Sequence, residues 1–364
     1  MPPAALPTPT DLDRELGFTE VWRRGFRGAG VGVALVDTGI ADVELLLSEF
    51  ILETHDFAED HGTAEAPPHA AKMARCIRNI APEARLVSFK VFPNAPRFLW
   101  FRQNALVRRA ITRAMDVCAD TYPHLRVANL SLAVPRGRFH RCTPRMPCEL
   151  CQAVNCAHDA GVVVVSAAGN TGPRPDTIEC PGLARGAITV GAYLNRASDA
   201  YYREHGADDN FGTSFSSAYV TAGIALLLSA RPDAKPEEIR AALTSTARPI
   251  AGEPRNAQGA GGAYLPAALE ALIGPPAEAF EEACRQLYYL AGNGDAQREN
   301  NRTVTSPLDL ALRYVELAML RTGKQAEAAK VLGDIRGWIV PGRLPMFETR
   351  IDELQKRATT AERP

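Results

Sequence analysis

Residues 30–37 read Gly-Val-Gly-Val-Ala-Leu-Val-Asp, a near-continuous apolar run that begins at a glycine and ends at a carboxylate. Strands that are buried on both faces, as in parallel sheets, have this composition. Further strands are predicted over residues 85–92, 126–134, 161–168 and 187–192. Helical patterns lie between or after them, over residues 69–80, 103–120, 149–160 and 214–230. This alternation predicts an α/β fold with a mostly parallel sheet flanked by helices.

The composition of the chain excludes several classes of protein. Its 364 residues carry 41 Lys and Arg against 42 Asp and Glu, a net charge of −1. Neither nucleic acid nor a membrane is therefore an expected partner, because there is no overall field to hold an anionic surface. No stretch approaches the ~20 apolar residues of a membrane helix. The first residues lack the pattern of a secretory signal, which predicts a cytoplasmic protein, or a secreted one if a signal has been removed.

A change of composition after Gly274 predicts two regions of different character. The predicted parts are a flexible tail over residues 1–14, a main domain over 15–274 and a small helical extension over 277–364. Helices are expected in the extension over residues 277–291 and 306–333. The apolar positions of this extension recur at helical spacing, which indicates packing, and its helices are a candidate surface for a protein partner.

Three short motifs of the main domain carry chemistry: Asp-Thr-Gly at 37–39, Ala-Ala-Gly-Asn at 167–170 and Gly-Thr-Ser at 212–214. Asp37 ends the first strand, at the edge where sites of open α/β sheets form. Asn170 follows the strand over 161–168, where its side-chain N–H groups could donate to an oxyanion. Ser214 opens a long apolar helix, beside unpaired N–H groups and the positive end of the helix dipole. Each residue alone also has an ordinary structural explanation, in a turn or as a helix cap.

With a histidine between the first two, these motifs follow the order Asp, His, Asn, Ser and resemble those of the subtilisin-like serine proteases (subtilases), over roughly residues 15–274. The resemblance implies a subtilisin-like fold and a serine endopeptidase that hydrolyses peptide bonds through Asp37, a histidine, Ser214 and an acyl-enzyme. It also implies that Asn170 belongs to the oxyanion hole. Neither a secretory signal nor a long pro-segment is recognised before Asp37, which favours selective processing of protein or peptide substrates. The alternative is a catalytically impaired protein of this fold that acts as a binding or regulatory module.

Two histidines compete for the role of catalytic base. His61 stands in the string His-Gly-Thr that is usual in the family, but Pro67 and Pro68 follow where its helix would have to continue. His69 lacks Gly-Thr, yet it begins the helical pattern over residues 69–80. The position of the helix therefore favours His69.

The resemblance places an extended peptide substrate along the ends of two strands. The residues expected to line this cleft are Leu130, Ser131, Leu132, Ala133, Ala167, Ala168 and Gly169. Ala133 stands where the family has a glycine, which is expected to narrow the cleft. Acidic side chains in the pocket between the two segments would select Lys or Arg in the substrate. The candidates, each equally explained as a surface charge, are Asp176, Glu179, Asp208 and Asp209.

An insertion over residues 140–158 contains four cysteines. They are Cys142, Cys148, Cys151 and Cys156, at spacing C-x5-C-x2-C-x4-C. Disulfides, a tetrahedral zinc site and free thiols all remain open, as does a disulfide from Cys180 to one of the four. The resemblance implies no required cofactor, and calcium, which is widespread in the family, has no clear ligand loop here. Three other cysteines in helical patterns are expected to be core residues: Cys76, Cys118 and Cys284.

Overall fold

The computed structural model describes most of the main domain and two segments near the C-terminus. The described residues are 9–40, 49–58, 69–93, 104–120, 124–134, 142–143, 145–172, 174, 176–193, 212–274, 325–338 and 345–360. The chain divides into two compact units, Met1–Ala268 and Leu269–Pro364. The division lies a few residues before the predicted boundary at Gly274.

The first unit is built around a six-stranded sheet. Its strands are β1 (Gly32–Asp37), β2 (Ile51–Asp56), β3 (Arg85–Lys90), β4 (Leu125–Leu130), β5 (Val163–Ala167) and β6 (Ala187–Val190). They lie in the order β2-β3-β1-β4-β5-β6, and each neighbouring pair is parallel. The predicted α/β class with a mostly parallel sheet is confirmed.

Helices connect and flank the strands. In the first unit they are α1 (Pro9–Leu16), α2 (Phe18–Arg23), α3 (His69–Ile80), α4 (Asn104–Asp120), α5 (Glu149–Asp159), α6 (Thr213–Ala230), α7 (Pro236–Ser245), α8 (Arg255–Gln258) and α9 (Leu265–Ile273), which crosses the division. The second unit holds α10 (Gln325–Trp338) and α11 (Pro345–Thr360).

The order of the strands makes the end of β1 the position where a crevice is expected. This strand has β3 on one side and β4 on the other, so the direction in which the sheet grows reverses there. Ligand sites of open parallel sheets form at such a point, outside the carboxyl ends of the strands. Asp37 is the last residue of β1. The residues that follow β4 and β5 lie at the same edge, because all three strands are parallel.

Burial on both faces explains the apolar sequence of β1. All six residues of β1 are buried, and Val33 and Leu35 have no exposed surface. Helix α6 is buried in the same way and contacts α3, β4, β5 and β6. By length and composition α6 could cross a membrane, contrary to the prediction that no stretch could, but 67% of it is buried inside the fold. That interior position accounts for its apolar sequence.

The prediction of a flexible tail over residues 1–14 is wrong in its second half, since α1 begins at Pro9. Proline suits the first helical position, where no N–H is needed. The Asp13 carboxylate accepts the backbone N–H of Thr19 at 2.7 Å, which ties α1 to α2. Between the two helices Gly17 has φ +72° and lies so close to Pro266 that a Cβ would be 2.7 Å from its ring.

Strand β2 has no counterpart in the prediction from sequence. It reads Ile-Leu-Glu-Thr-His-Asp, and only Ile51 is buried. As an edge strand it pairs with β3 alone. Its sequence therefore lacks the apolar run that marks a strand covered on both faces.

The described part of the second unit is a pair of packed helices. Their buried apolar side chains are Ala328, Val331, Leu332, Ile335, Ile351 and Leu354. Arg336 of α10 bridges two carboxylates of α11, Asp352 at 2.9 Å and Glu348 at 3.3 Å. Helix α10 overlaps the end of the helix predicted over 306–333, and the helix predicted over 277–291 lies outside the described residues.

Candidate active site

Asp37 and His69 form a hydrogen-bonded pair at the end of β1. His69 is the first residue of α3, and its Nδ1 lies 2.8 Å from Oδ1 and 3.0 Å from Oδ2 of Asp37. The carboxylate is 1% exposed, and its Oδ1 also accepts the backbone N–H of Thr38 at 2.7 Å. The Thr38 hydroxyl in turn accepts the N–H of Ala70 at 3.2 Å. The end of β1 and the start of α3 are thus joined, which fixes the imidazole.

This pairing determines which nitrogen of His69 can act as a base. A carboxylate at Nδ1 favours the tautomer that carries its proton there, since the carboxylate can only accept. Nε2, on the opposite side of the ring, then keeps its lone pair. The side chain of His69 is 27% exposed, so part of the ring is accessible to solvent. His61, the other candidate, lies outside the described residues.

Ser214 is the second residue of α6 and is linked to the end of β4 by two reciprocal hydrogen bonds. Its Oγ donates to the Ser131 carbonyl at 3.0 Å, and the Ser131 hydroxyl donates to the Ser214 carbonyl at 2.8 Å. The Ser214 backbone N–H belongs to the first turn of the helix, where N–H groups have no partner within the helix. Hydroxyl and N–H therefore lie at the edge of the sheet that carries Asp37.

A buried polar network fixes the start of α6 on the sheet. Asn129 donates to the Ser131 hydroxyl at 2.8 Å and accepts from Thr221 at 2.9 Å. Ser217 lies 2.9 Å from the Ser131 hydroxyl and donates to the Ser214 carbonyl at 2.8 Å. Asn129, Ser217 and Thr221 have no exposed surface. Because each of these buried polar groups has partners, the network restrains Ser214 without the cost of an unpaired group.

Asn170 follows β5 and faces the start of α6. Its Oδ1 accepts both the backbone N–H and the hydroxyl of Thr213, each at 3.0 Å. Since a backbone N–H can only donate, these bonds identify the amide oxygen and leave Nδ2 with its two hydrogens to donate elsewhere. Gly212 has φ +128°, and a Cβ there would lie 3.0 Å from Nδ2. A glycine is therefore needed for the close approach.

The two predicted cleft segments continue neighbouring strands and are connected by a third segment. Leu130 of β4 pairs with Ser166 of β5, so the residues after them lie side by side. Leu130, Ser131, Leu132 and Ala167 are buried, whereas Ala133, Ala168 and Gly169 are half-buried. Glu179 donates its N–H to the Ala168 carbonyl at 3.0 Å, and Cys180 accepts the Val134 N–H at 2.8 Å. Residues 179–180 thus bridge the two segments.

A buried carboxylate stands in this bridge. Glu179 is 9% exposed, and its Oε1 accepts from the Thr171 hydroxyl at 3.4 Å. Its side chain lies across Gly169, where a Cβ would be 2.9 Å from Oε2. Of the other acidic candidates, Asp176 is exposed, and Asp208 and Asp209 lie outside the described residues.

Comparison with known proteins identifies the family. The family model described as the Subtilase family matches residues 28–211 and 202–261. The chain belongs to the subtilase family. Subtilases are serine proteases, and the resemblance drawn from the motifs is confirmed.

Relatives of this subtilase include two bacterial proteases. It is 28% identical to subtilisin DY of Bacillus licheniformis over 258 residues, which cover 63% of this chain and 87% of that protein. It is 29% identical to the minor extracellular protease Vpr of Bacillus subtilis (strain 168) over 211 residues, 52% of this chain and 24% of that protein. The name of Vpr places that protein outside the cell, so the predicted cytoplasmic location of this subtilase has no support from it.

Solved structures confirm the subtilisin-like fold. The MycP3 protease from the type VII (ESX-3) secretion system has a TM-score of 0.57 and 23% sequence identity, over 74% of this chain and 90% of that one. At this identity the likeness concerns the fold.

The cysteines of this subtilase are arranged differently from the prediction. The thiols of Cys142, Cys148, Cys151 and Cys180 lie within 4.8 Å of one another, and we call them the four-thiol cluster. Cys156 was expected in the group but is exposed on α5, whereas Cys180, distant in sequence, replaces it. Cys76 and Cys118 are buried, as expected of core residues, and Cys284 lies outside the described residues.

The thiols of the four-thiol cluster influence one another's ionisation. Hydrogen bonds from the Cys151 and Cys180 thiols lower the pKa of Cys148. The same contacts with Cys148 raise the pKa of Cys151 and of Cys180. Negative charge on one sulfur therefore opposes ionisation of the next. Within the described ranges, this cluster is the one group of three or more His, Cys, Asp or Glu side chains placed to hold a metal.

Sequence reasoning did not identify the residues that position the candidate catalytic groups. Thr213 belongs to the Gly-Thr-Ser motif, but its two hydrogen bonds to Asn170 depend on the position at which β5 ends. The network of Asn129, Ser217 and Thr221 joins β4 to α6. Only the alternation of small polar residues along the buried α6 could have indicated a polar contact within the core.

Proposed function

We propose that this subtilase is an endopeptidase that cleaves protein or peptide substrates with Ser214 as nucleophile, His69 as general base and Asp37 as its partner. The observation that carries the proposal is the pairing of His69 Nδ1 with both oxygens of the buried Asp37, at 2.8 and 3.0 Å. It leaves Nε2, on the opposite side of the ring, as the nitrogen that can accept a proton. This is the arrangement that a Ser-His-Asp mechanism needs.

The reaction begins when the Ser214 hydroxyl turns from the Ser131 carbonyl to His69 Nε2. Catalytic hydrogen bonds of this kind often form only once substrate is bound. As Oγ bonds to the substrate carbonyl carbon, its proton passes to Nε2, and Asp37 stabilises the imidazolium. Nε2 then returns the proton to the leaving amine as the peptide C–N bond breaks. Water, deprotonated by the same nitrogen, hydrolyses the acyl-enzyme and restores the Ser214 hydroxyl.

The oxyanion of the tetrahedral intermediate would be held by Asn170 Nδ2 and the Ser214 backbone N–H. Thr213 supports this role, since it binds the amide oxygen and so fixes which end of the amide faces the crevice. One such donor contributes on the order of 10²–10³ in kcat. The alternative of an impaired binding module has less support, because this edge of the sheet carries a candidate for the nucleophile, the base, its carboxylate partner and the oxyanion donor.

A fluorophosphonate reagent tests the proposal directly. The wild-type protein is expected to lose activity on denatured casein in proportion to covalent labelling, with one label per chain on the peptide that contains Ser214, because the reagent needs an activated serine. Mass spectrometry of the digested protein locates the label. An unlabelled protein that folds but does not cleave casein would favour the binding module instead.

Glu179 supports a preference for Lys or Arg on the acyl side of the cleaved bond. Its buried carboxylate lies beside Gly169 of one cleft segment, in the bridge where the pocket for that side chain is expected. We expect Glu179→Gln to lower kcat/KM for an arginine peptide by about 10- to 100-fold, because a hydrogen bond to a charged group contributes about 1.5–3 kcal/mol. Kinetics on matched peptides with arginine or leucine at that position measure the effect.

The leucine peptide and a second variant serve as controls for Glu179. The leucine peptide is expected to keep most of its kcat/KM with Glu179→Gln, since it makes no ion pair. Asp176→Asn removes an exposed acid of the same loop and is expected to leave the arginine-to-leucine ratio unchanged. A ratio that stays the same in Glu179→Gln would show that this carboxylate is structural.

A further inference from the structure

The four-thiol cluster has dimensions that suit a metal ion. Cys142 and Cys151 have their sulfurs 3.6 Å apart, and Cys148 and Cys180 have theirs 3.7 Å apart. Four sulfurs at about 2.3 Å from a central zinc form a tetrahedron with edges of about 3.8 Å. A disulfide would need a separation of about 2.05 Å. These two distances match opposite edges of a tetrahedral tetrathiolate site, and all four sulfurs lie within 4.8 Å of one another.

The backbone around these thiols is arranged as a compact ligand loop. Thr143 and Met146 exchange two backbone hydrogen bonds, each 3.1 Å, so the chain turns back between Cys142 and Cys148. The N–H of Cys148 donates to the Cys142 sulfur at 3.3 Å. Cys148 is the N-cap of α5, and Cys151 lies in its first turn. N–H donors and a helix N-terminus stabilise thiolates, the form in which cysteine binds metals.

The fourth thiol comes from a distant part of the chain. Cys180 belongs to the bridge between the cleft segments, and Cys180 and Cys151 are both 0% exposed. Three of the four cysteines are buried and Cys148 is half-buried, so ionisation of these thiols alone would bring several negative charges close together. A divalent cation reduces that cost.

From this geometry we propose that the four-thiol cluster is a structural zinc site. Soft thiolate ligands in a tetrahedron select zinc over calcium or magnesium, which prefer oxygen. Each thiol releases its proton when its sulfur binds the ion. All four positions are taken by protein, so the ion has no place for water or substrate and does no chemistry. Its role is to connect the insertion and α5 to the cleft.

The connection to the cleft runs through Cys180. Its carbonyl accepts the Val134 N–H, and the preceding Glu179 donates its N–H to Ala168. A zinc ion would therefore anchor the segment between the two cleft segments to the start of α5. We expect metal removal to lower thermal stability and, if the proposed function holds, kcat/KM for peptides. The metal site itself is independent of the proposed function.

Elemental analysis of the full-length wild-type protein tests the proposal without any substitution. The protein is purified without chelators or immobilised metal, and about one zinc per chain is expected. Titration with an organomercurial thiol reagent is expected to release that zinc as the thiols react, measured with a metallochromic dye. Replacement by Co²⁺ is expected to give the intense visible bands of a tetrahedral tetrathiolate complex.

Two variants assign the ligands. Cys180→Ser is expected to lose zinc and to melt at lower temperature, and Cys156→Ser, on the exposed face of the same insertion, is expected to keep about one zinc per chain. Four free thiols that take up no added zinc, disulfides within the cluster or iron in place of zinc would each overturn the proposal. Retention of full zinc content by Cys180→Ser would overturn it as well.

Discussion

Replacing Ser214 by alanine is expected to lower kcat on denatured casein by about 10⁶-fold, the loss found when a triad serine is removed. Without Oγ no acyl-enzyme can form, and His69 has no proton to take. Activity above that of water alone is still expected, by about 10³–10⁴-fold, since the oxyanion donors and the cleft remain. Casein cleavage at high enzyme concentration measures the loss, and fluorophosphonate labelling is expected to vanish with it.

Ser216→Ala is the matched control for this variant. Ser216 lies two residues further along the same helix turn and is half-buried like Ser214, but the polar network described above does not include it. Its substitution is expected to leave kcat and labelling near the wild-type values. Stoichiometric labelling of Ser214→Ala would mean that a different residue is the nucleophile.

The pair His69→Ala and His61→Ala is expected to separate the two candidate bases. His69→Ala removes the group that accepts the Ser214 proton, so kcat is expected to fall by about 10⁶-fold, as for the serine. His61→Ala is expected to stay within a few-fold of wild type. Both variants are compared on the same casein substrate, after thermal unfolding has established that each is folded.

One result for these two histidines would contradict the assignment of the base. If His61→Ala is inactive and His69→Ala retains activity, the pairing of His69 with Asp37 is structural and the assignment of the base is wrong. Alanine is a good helix former, so the helix start at His69 tolerates the substitution. A loss of kcat in His69→Ala with an unchanged melting temperature is therefore a catalytic effect.

The sequence was most informative where one segment alone determines its structure. Helix α3 was predicted with the bounds His69–Ile80 that the structure has, because prolines precede it and its apolar spacing is regular. The apolar run in β1 indicates that this strand is buried on both faces. Strand β2 was missed because it is an edge strand with a mostly polar sequence, and its pairing with β3 is what makes it a strand.

Contacts between distant segments could not be predicted in the same way. The four cysteines that are close in sequence suggested a cluster with Cys156, but α5 turns that thiol outward, and Cys180 arrives from the loop before β6. Likewise the hydrogen bond from Thr213 to Asn170 depends on the relative position of β5 and α6. Spacing along a chain indicates residues that can meet, whereas the sheet order determines which do.

The central position of β1 has a consequence for synthesis. The strand is complete at Asp37, yet its two neighbours end at Lys90 and Leu130, so the second pairing must wait for about 90 further residues. At a translation rate of about 5–20 residues per second, this wait is roughly 5 to 20 seconds. Until β3 is complete the apolar β1 has no neighbour in the sheet, and until β4 is complete one of its edges stays unpaired. The period of greatest aggregation risk is thus set by strand order, and chaperone binding would be most useful between the emergence of β1 and that of β4.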